Sequence, residues 1–230
     1  MPRKIRNSTT FGLAVQLMFM VTATRLQLPQ ELFYIILIAL LALQALFFER
    51  DNPGERVIDT QQYSFTEAPA QVFAAILITI PIVAPFVILG RRAIPADFLN
   101  EAFTQGIFVT FSETVYMIVT VRTLWYQDRN VGLVLWPPIF AFLHPAVRDN
   151  WIRGLFPMES FLAFVYAAAF GVFFWILWEG RTRRIFAKRY RRYFGAVTTW
   201  TSHLMINLFV IAFPLSVWLL DLFPLVIGHG

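Results

Sequence analysis

The chain of 230 residues is 58% hydrophobic and 14% charged, with a net charge of +5 and a mean hydropathy of +0.61. A water-soluble chain of this length carries about a quarter charged residues, so too little polar surface remains to cover a globule in water, and lipid is the expected solvent. The absence of Cys excludes disulfides, thiolate metal sites and cysteine nucleophiles, and in a membrane chain the basic excess reads as orientation rather than nucleic-acid binding.

A basic head (Arg3, Lys4, Arg6) leads into an apolar run at 9–27. A signal peptide shares this pattern, but no small-residue cleavage pattern follows, so an uncleaved first span is expected. Further apolar runs occupy 31–48, 70–90, 104–121, 131–147 and 158–179. The last, 194–227, is too long for one crossing at 1.5 Å per residue, and Pro214 near its middle divides it in two. The expected fold is therefore an all-α polytopic membrane bundle of about eight transmembrane helices, a single transmembrane domain over 1–230. The acidic and basic residues of 49–69 read as a solvated connection, and Trp136 with Pro137 and Pro138 as a helix start with an interfacial anchor.

Orientation follows from the short loops. Arg181, Arg183, Arg184, Lys188, Arg189, Arg191 and Arg192 fall after six spans, on the same side as the basic N-terminus, and both are expected in the cytoplasm. Arg91 and Arg92 fall on the outer side, against the trend. The basic segment serves equally as a patch for anionic lipid headgroups.

Polar side chains at membrane depth cost several kcal/mol and mark tasks or partners. Glu113 stands near the centre of the fourth run, His144 in the fifth, and His203 with Asn207 in the seventh. Of the 3 His in the chain, the third, His229, stands in the C-terminal tail. His203 and Asn207, four apart, share one helix face; Phe140, one turn before His144, is set to wall a small polar pocket. Tyr116 follows Glu113 by one turn and reads as span packing. In a low-dielectric pocket a carboxylate and an imidazole share a water and draw a proton from it, while a second imidazole and an amide donate to the oxyanion formed on attack at a carbonyl. Two His and a Glu equally suit Zn²⁺ with an open water position. No His-Glu-x-x-His element occurs, and spacing alone leaves metal and direct water activation both open.

In order and spacing these residues resemble the type II CAAX proteases, the CAAX protease and bacteriocin-processing family, whose eukaryotic members include the Ras-converting endopeptidase. That family reads Glu-Glu-x-x-x-Arg, then Phe-x-x-x-His, then His-x-x-x-Asn or Asp on separate helices of an eight-helix membrane fold. Phe140-x-x-x-His144 matches the second motif and His203-x-x-x-Asn207 the third, and the resemblance spans 100–210. The first motif departs: Glu113 stands alone between Ser112 and Thr114, and Ile118, or Met117 in the other alignment, occupies the Arg position.

The resemblance implies a glutamate intramembrane endopeptidase acting on a membrane peptide or protein, without a cofactor. Glu113 and His144 activate the water, and His203 and Asn207 stabilise the oxyanion. Prokaryotic members are linked to bacteriocin self-immunity or maturation, which points to a prokaryotic cell membrane. Two other classes stand beside it: an inactive relative that binds membrane peptides or scaffolds a partner, and a proton or ion relay through Glu113 and the two His. A relay of the transporter kind predicts inverted repeats and paired broken helices, and the sequence carries neither.

Overall fold

The computed structural model describes residues 7–54, 56–57, 65–89, 98–127, 129–155, 157–179 and 187–212. Among these the secondary structure is entirely helical. In chain order the helices are α1 (Asn7–Arg25), α2 (Gln30–Asp51), α3 (Ala68–Leu89), α4 (Phe98–Glu101), α5 (Thr110–Gln127), α6 (Arg129–Leu143), α7 (Pro145–Ile152), α8 (Met158–Glu179) and α9 (Ala196–Ala212). A π-helical segment, Ala102–Val109, joins α4 to α5, and 3-10 turns occupy Phe65–Glu67 and Lys188–Tyr193.

Among the described residues four stretches are long and apolar enough to cross a membrane: Gln30–Asp51, Ala68–Pro85, Phe98–Thr123 and Ser160–Glu179. Phe11–Arg25 and Val134–Leu143 are apolar but shorter. The division of the final run at Pro214, and the eighth span with it, lie outside the described residues, as do Arg91, Arg92, Arg181, Arg183, Arg184 and His229.

The pattern of burial fits lipid. On α2 the buried residues are Phe33, Tyr34, Leu37, Leu41, Gln44 and Phe48, a stripe at helical spacing. The opposite face is just as apolar, with Leu32, Ile35, Leu43, Leu46 and Phe47 exposed. A helix apolar all round is at home in a bilayer, not at a water interface. Polar groups turn inward instead. Gln16 of α1 donates to the side-chain oxygen of Gln44, whose own amide donates to Thr123 Oγ1 of α5 at 2.8 Å. Gly12 permits this ladder, since a Cβ there would lie 3.3 Å from the Gln44 side chain.

The α1–α2 turn follows from local chemistry. Gln27 adopts φ 51° and Leu28 N–H reaches back to the Ala23 carbonyl at 3.0 Å, a left-handed helix stop of the Schellman type. Pro29 then fixes the start of α2. In α3, Pro81 and Pro85 stand inside the helix, each removing one backbone donor, which membrane helices tolerate better than soluble ones.

The chain forms two compact units, each assembled from separated segments: residues 1–62 with 112–176, and residues 63–111 with 177–230. In the first, α1 packs on α2 and on α7, and α6 on α7. In the second, α3 packs along α9, and the π segment also lies against α9.

Two expectations are corrected. The run 131–147 is not one unbroken helix: α6 stops at Leu143, His144 is extended (φ −75°, ψ 127°), and α7 starts at Pro145. Helical geometry is disfavoured for the residue before a proline, whereas proline suits the first helical position, so the break falls at the His144–Pro145 pair. Trp136 is not an interfacial anchor at a helix start. It is buried within α6 and donates through Nε1 to the Gly171 carbonyl of α8 at 2.8 Å, while Pro137 and Pro138 lie inside the helix.

Candidate functional site

Glu113 lies in the first turn of α5, buried, with Ser112 and Thr114 buried on either side. The helix leading to it changes hydrogen-bond register, from π over Ala102–Val109 to α from Thr110; π turns of this kind are frequent at functional sites. The Tyr34 hydroxyl of α2 donates to Glu113 Oε1 at 2.9 Å, between two buried side chains. Met117 and Ile118, where the resemblance has an arginine, are both buried and apolar. The bracing contact therefore comes from another helix, 79 residues away in sequence.

Tyr34 is in turn packed edge-on against Phe33, with ring centroids 5.2 Å apart. The Arg148 guanidinium lies over the Phe33 ring, 4.4 Å from its centroid. Arg148 also donates to the Leu143 carbonyl at 3.1 Å, one of the acceptors freed where α6 ends. It thus ties the helix break beside His144 to the aromatic pair that carries the Glu113 contact. Tyr116, fully buried, packs its ring against Trp136 at 6.2 Å; the tyrosine hydroxyl on Glu113 is that of Tyr34.

His144 caps α7. Its carbonyl accepts from Val147 and Arg148 N–H, each at 3.0 Å. The ring lies edge-on to Phe140, centroids 5.2 Å apart, and Nδ1 is 3.1 Å from the Phe140 carbonyl. A carbonyl only accepts, so Nδ1 carries the proton, and in the neutral ring Nε2 holds the lone pair that a general base requires. Phe140 is packed from the other side by α8: a Cβ on Gly171 would stand 3.0 Å from Phe140 Cδ1, so a larger residue there would require the ring that supports His144 to shift. The His144 ring thus makes a polar contact with the last turn of α6.

His203 and Asn207 belong to the second unit. His203 is buried in the middle of α9. Asn207, one turn on, donates through Nδ2 to Thr110 Oγ1 at 2.9 Å, using one of its two amide hydrogens. The second remains to donate elsewhere. Here too a glycine allows close approach: a Cβ on Gly106 of the π segment would fall 2.8 Å from Leu208 Cδ2 of α9.

The structure therefore sets Glu113 and His144 in one unit and His203 and Asn207 in the other. Among the described residues no three His, Cys, Asp or Glu side chains cluster as a metal would require. Two participants escaped the sequence reading. Tyr34 is an amphipathic ring in an apolar span, where it passes for packing. Arg148, four residues after His144, carries a charge just beyond the apolar run, where it passes for an interfacial residue.

No family model, curated protein or solved structure matches the chain. The functional reading rests on the residues and their surroundings.

Proposed function

We propose that this chain is an intramembrane endopeptidase of the CAAX protease and bacteriocin-processing type, which hydrolyses a peptide bond of a membrane-associated peptide or protein. In this reading the bundle crosses a prokaryotic cell membrane about eight times, with the N-terminus in the cytoplasm. The observation that carries it is the buried Glu113 carboxylate, held on one oxygen by Tyr34. A carboxylate so placed is costly in a membrane-capable helix unless it has a task.

In the proposed reaction Glu113 and Nε2 of His144 polarise one water, which attacks the scissile carbonyl. His203 and the second amide hydrogen of Asn207 donate to the oxyanion, and the proton taken from water passes to the leaving amine. The peptide bond breaks, the new carboxylate retains the water oxygen, and no covalent intermediate is needed. No metal enters this scheme.

Mass spectrometry of membrane peptides from cells carrying the wild type and Glu113→Gln tests the proposal. The wild type should yield a set of new termini that the variant lacks, and His144→Ala and His203→Ala should lose the same set. Identical peptide sets in all four strains would reject it. That outcome would favour an inactive scaffold, a reading that the apolar Met117 and Ile118 at the expected arginine position support.

A further inference from the structure

The basic segment 181–192 holds seven Lys and Arg and no acid. Its described part, Lys188–Tyr193, is a 3-10 helix with no buried side chain. Three residues per turn bring positions i and i+3 into line, so its side chains form three ridges: Lys188 with Arg191, Arg189 with Arg192, and Tyr190 with Tyr193. The basic and aromatic ridges are in register. The Arg189 guanidinium lies over the Tyr190 ring at 4.6 Å and that of Arg192 over the Tyr193 ring at 4.8 Å.

The depth of this element is set by its neighbours in the second unit. It packs against α3, and Gly195, which follows it, sits so close to Gln71 that a Cβ there would be 3.1 Å from Oε1. Gln71 is three residues into the membrane-capable stretch that starts at Ala68. The turn into α9 is tied down, since Thr198 Oγ1 donates to the Tyr193 carbonyl at 2.6 Å and Thr199 Oγ1 to the Gly195 carbonyl at 2.9 Å. Four cations and two tyrosines are thus held at the level where two helices of this unit begin.

We infer that Lys188–Tyr193 is a binding platform for the phosphate of anionic phospholipid headgroups. The cations meet phosphate oxygens, and the tyrosine ridge occupies the boundary between headgroup and acyl chain, where amphipathic rings partition. A site for free phosphate or for nucleic acid needs no such ridge and no such depth. The inference is independent of the protease reading.

The test uses the full chain purified from bilayers of mixed phosphatidylglycerol and phosphatidylcholine, with retained lipid counted by native mass spectrometry. Wild type should hold phosphatidylglycerol in preference, and 10 mM inorganic phosphate should not displace it. The combined Lys188→Gln, Arg189→Gln, Arg191→Gln and Arg192→Gln variant should retain at least fivefold less, with phosphatidylcholine unchanged. Arg3→Gln, Lys4→Gln and Arg6→Gln together, a control for general charge, should retain as much as wild type. As a check that does not depend on insertion of the quadruple variant, a photoreactive phosphatidylglycerol is also cross-linked to wild type, and the peptide containing 188–193 should carry the label. Equal retention in wild type and quadruple variant, equal loss in the control, displacement by phosphate, or label only elsewhere would each overturn the inference.

Discussion

A single carboxylate in an apolar helix has to be held by something, and here the holder is a tyrosine on a different helix. Tyr34 donates to Glu113 at 2.9 Å, and a hydrogen bond to a buried charged group contributes about 1.5–3 kcal/mol. Tyr34→Phe keeps the ring packing on Phe33 and deletes only that contact. Cleavage should fall roughly 10–100-fold with the protein still inserted, read as the yield of new termini per unit of membrane protein. Unchanged yield would make the Tyr34–Glu113 bond a packing contact alone. The limits of reading a sequence are plain at this scale. Glu113, His144, His203 and Asn207 stand out because each is the wrong polarity for its surroundings. Tyr34 does not, because its role depends on a partner 79 residues away that no local spacing reveals.

Between the residue and the whole chain, the decisive feature is the break between α6 and α7. The apolar runs located α2, α3 and α8 to within a few residues, since length and hydropathy are what the bilayer selects. The break was missed because the run 131–147 was judged on hydropathy, although Pro145 carried the signal. The π segment had no legible signature: eight residues are too few to separate its wider period from an ordinary helical one. Pro145→Ala relieves the steric disfavour of helical geometry at His144 and lets the helix run on, which turns the imidazole away from its place against Phe140. Misplacement of a catalytic group by about 1 Å costs about 100-fold, and a loss of that order is expected, with protein level as the control. Gly171→Val tests the support beneath. Its side chain would press on Phe140, already 3.0 Å from a bare Cβ, and overpacking of this kind costs about 1–3 kcal/mol, measurable as a lowered thermal midpoint in detergent. A midpoint equal to wild type would mean that α8 does not fix Phe140.

For the molecule as a whole, the burial pattern argues for lipid: large apolar residues are exposed as well as buried, and Gln16, Gln44 and Thr123 are joined inside. Reporter tags at the N-terminus and within 188–193 should both report the cytoplasm, and a tag at Gly54 the same side, as two crossings by α1 and α2 require. A tag at Gly54 on the outer face would remove α1 from the count of spans. The two-unit organisation is not visible in the linear order, because each unit is built from segments that the other interrupts. It also sharpens the functional claim, since two proposed participants belong to each unit. Groups that act as one catalytic device are grossly non-additive when removed. The most direct measurement is therefore a double-mutant cycle of Glu113→Gln and His203→Ala, read as the cleavage rate of a peptide identified by its new terminus. If the four residues form one water-activating site, each single variant should lose nearly all activity and the double variant should be no slower than the slower single. If the two losses multiply, or if either single variant cleaves at the wild-type rate, they do not act together.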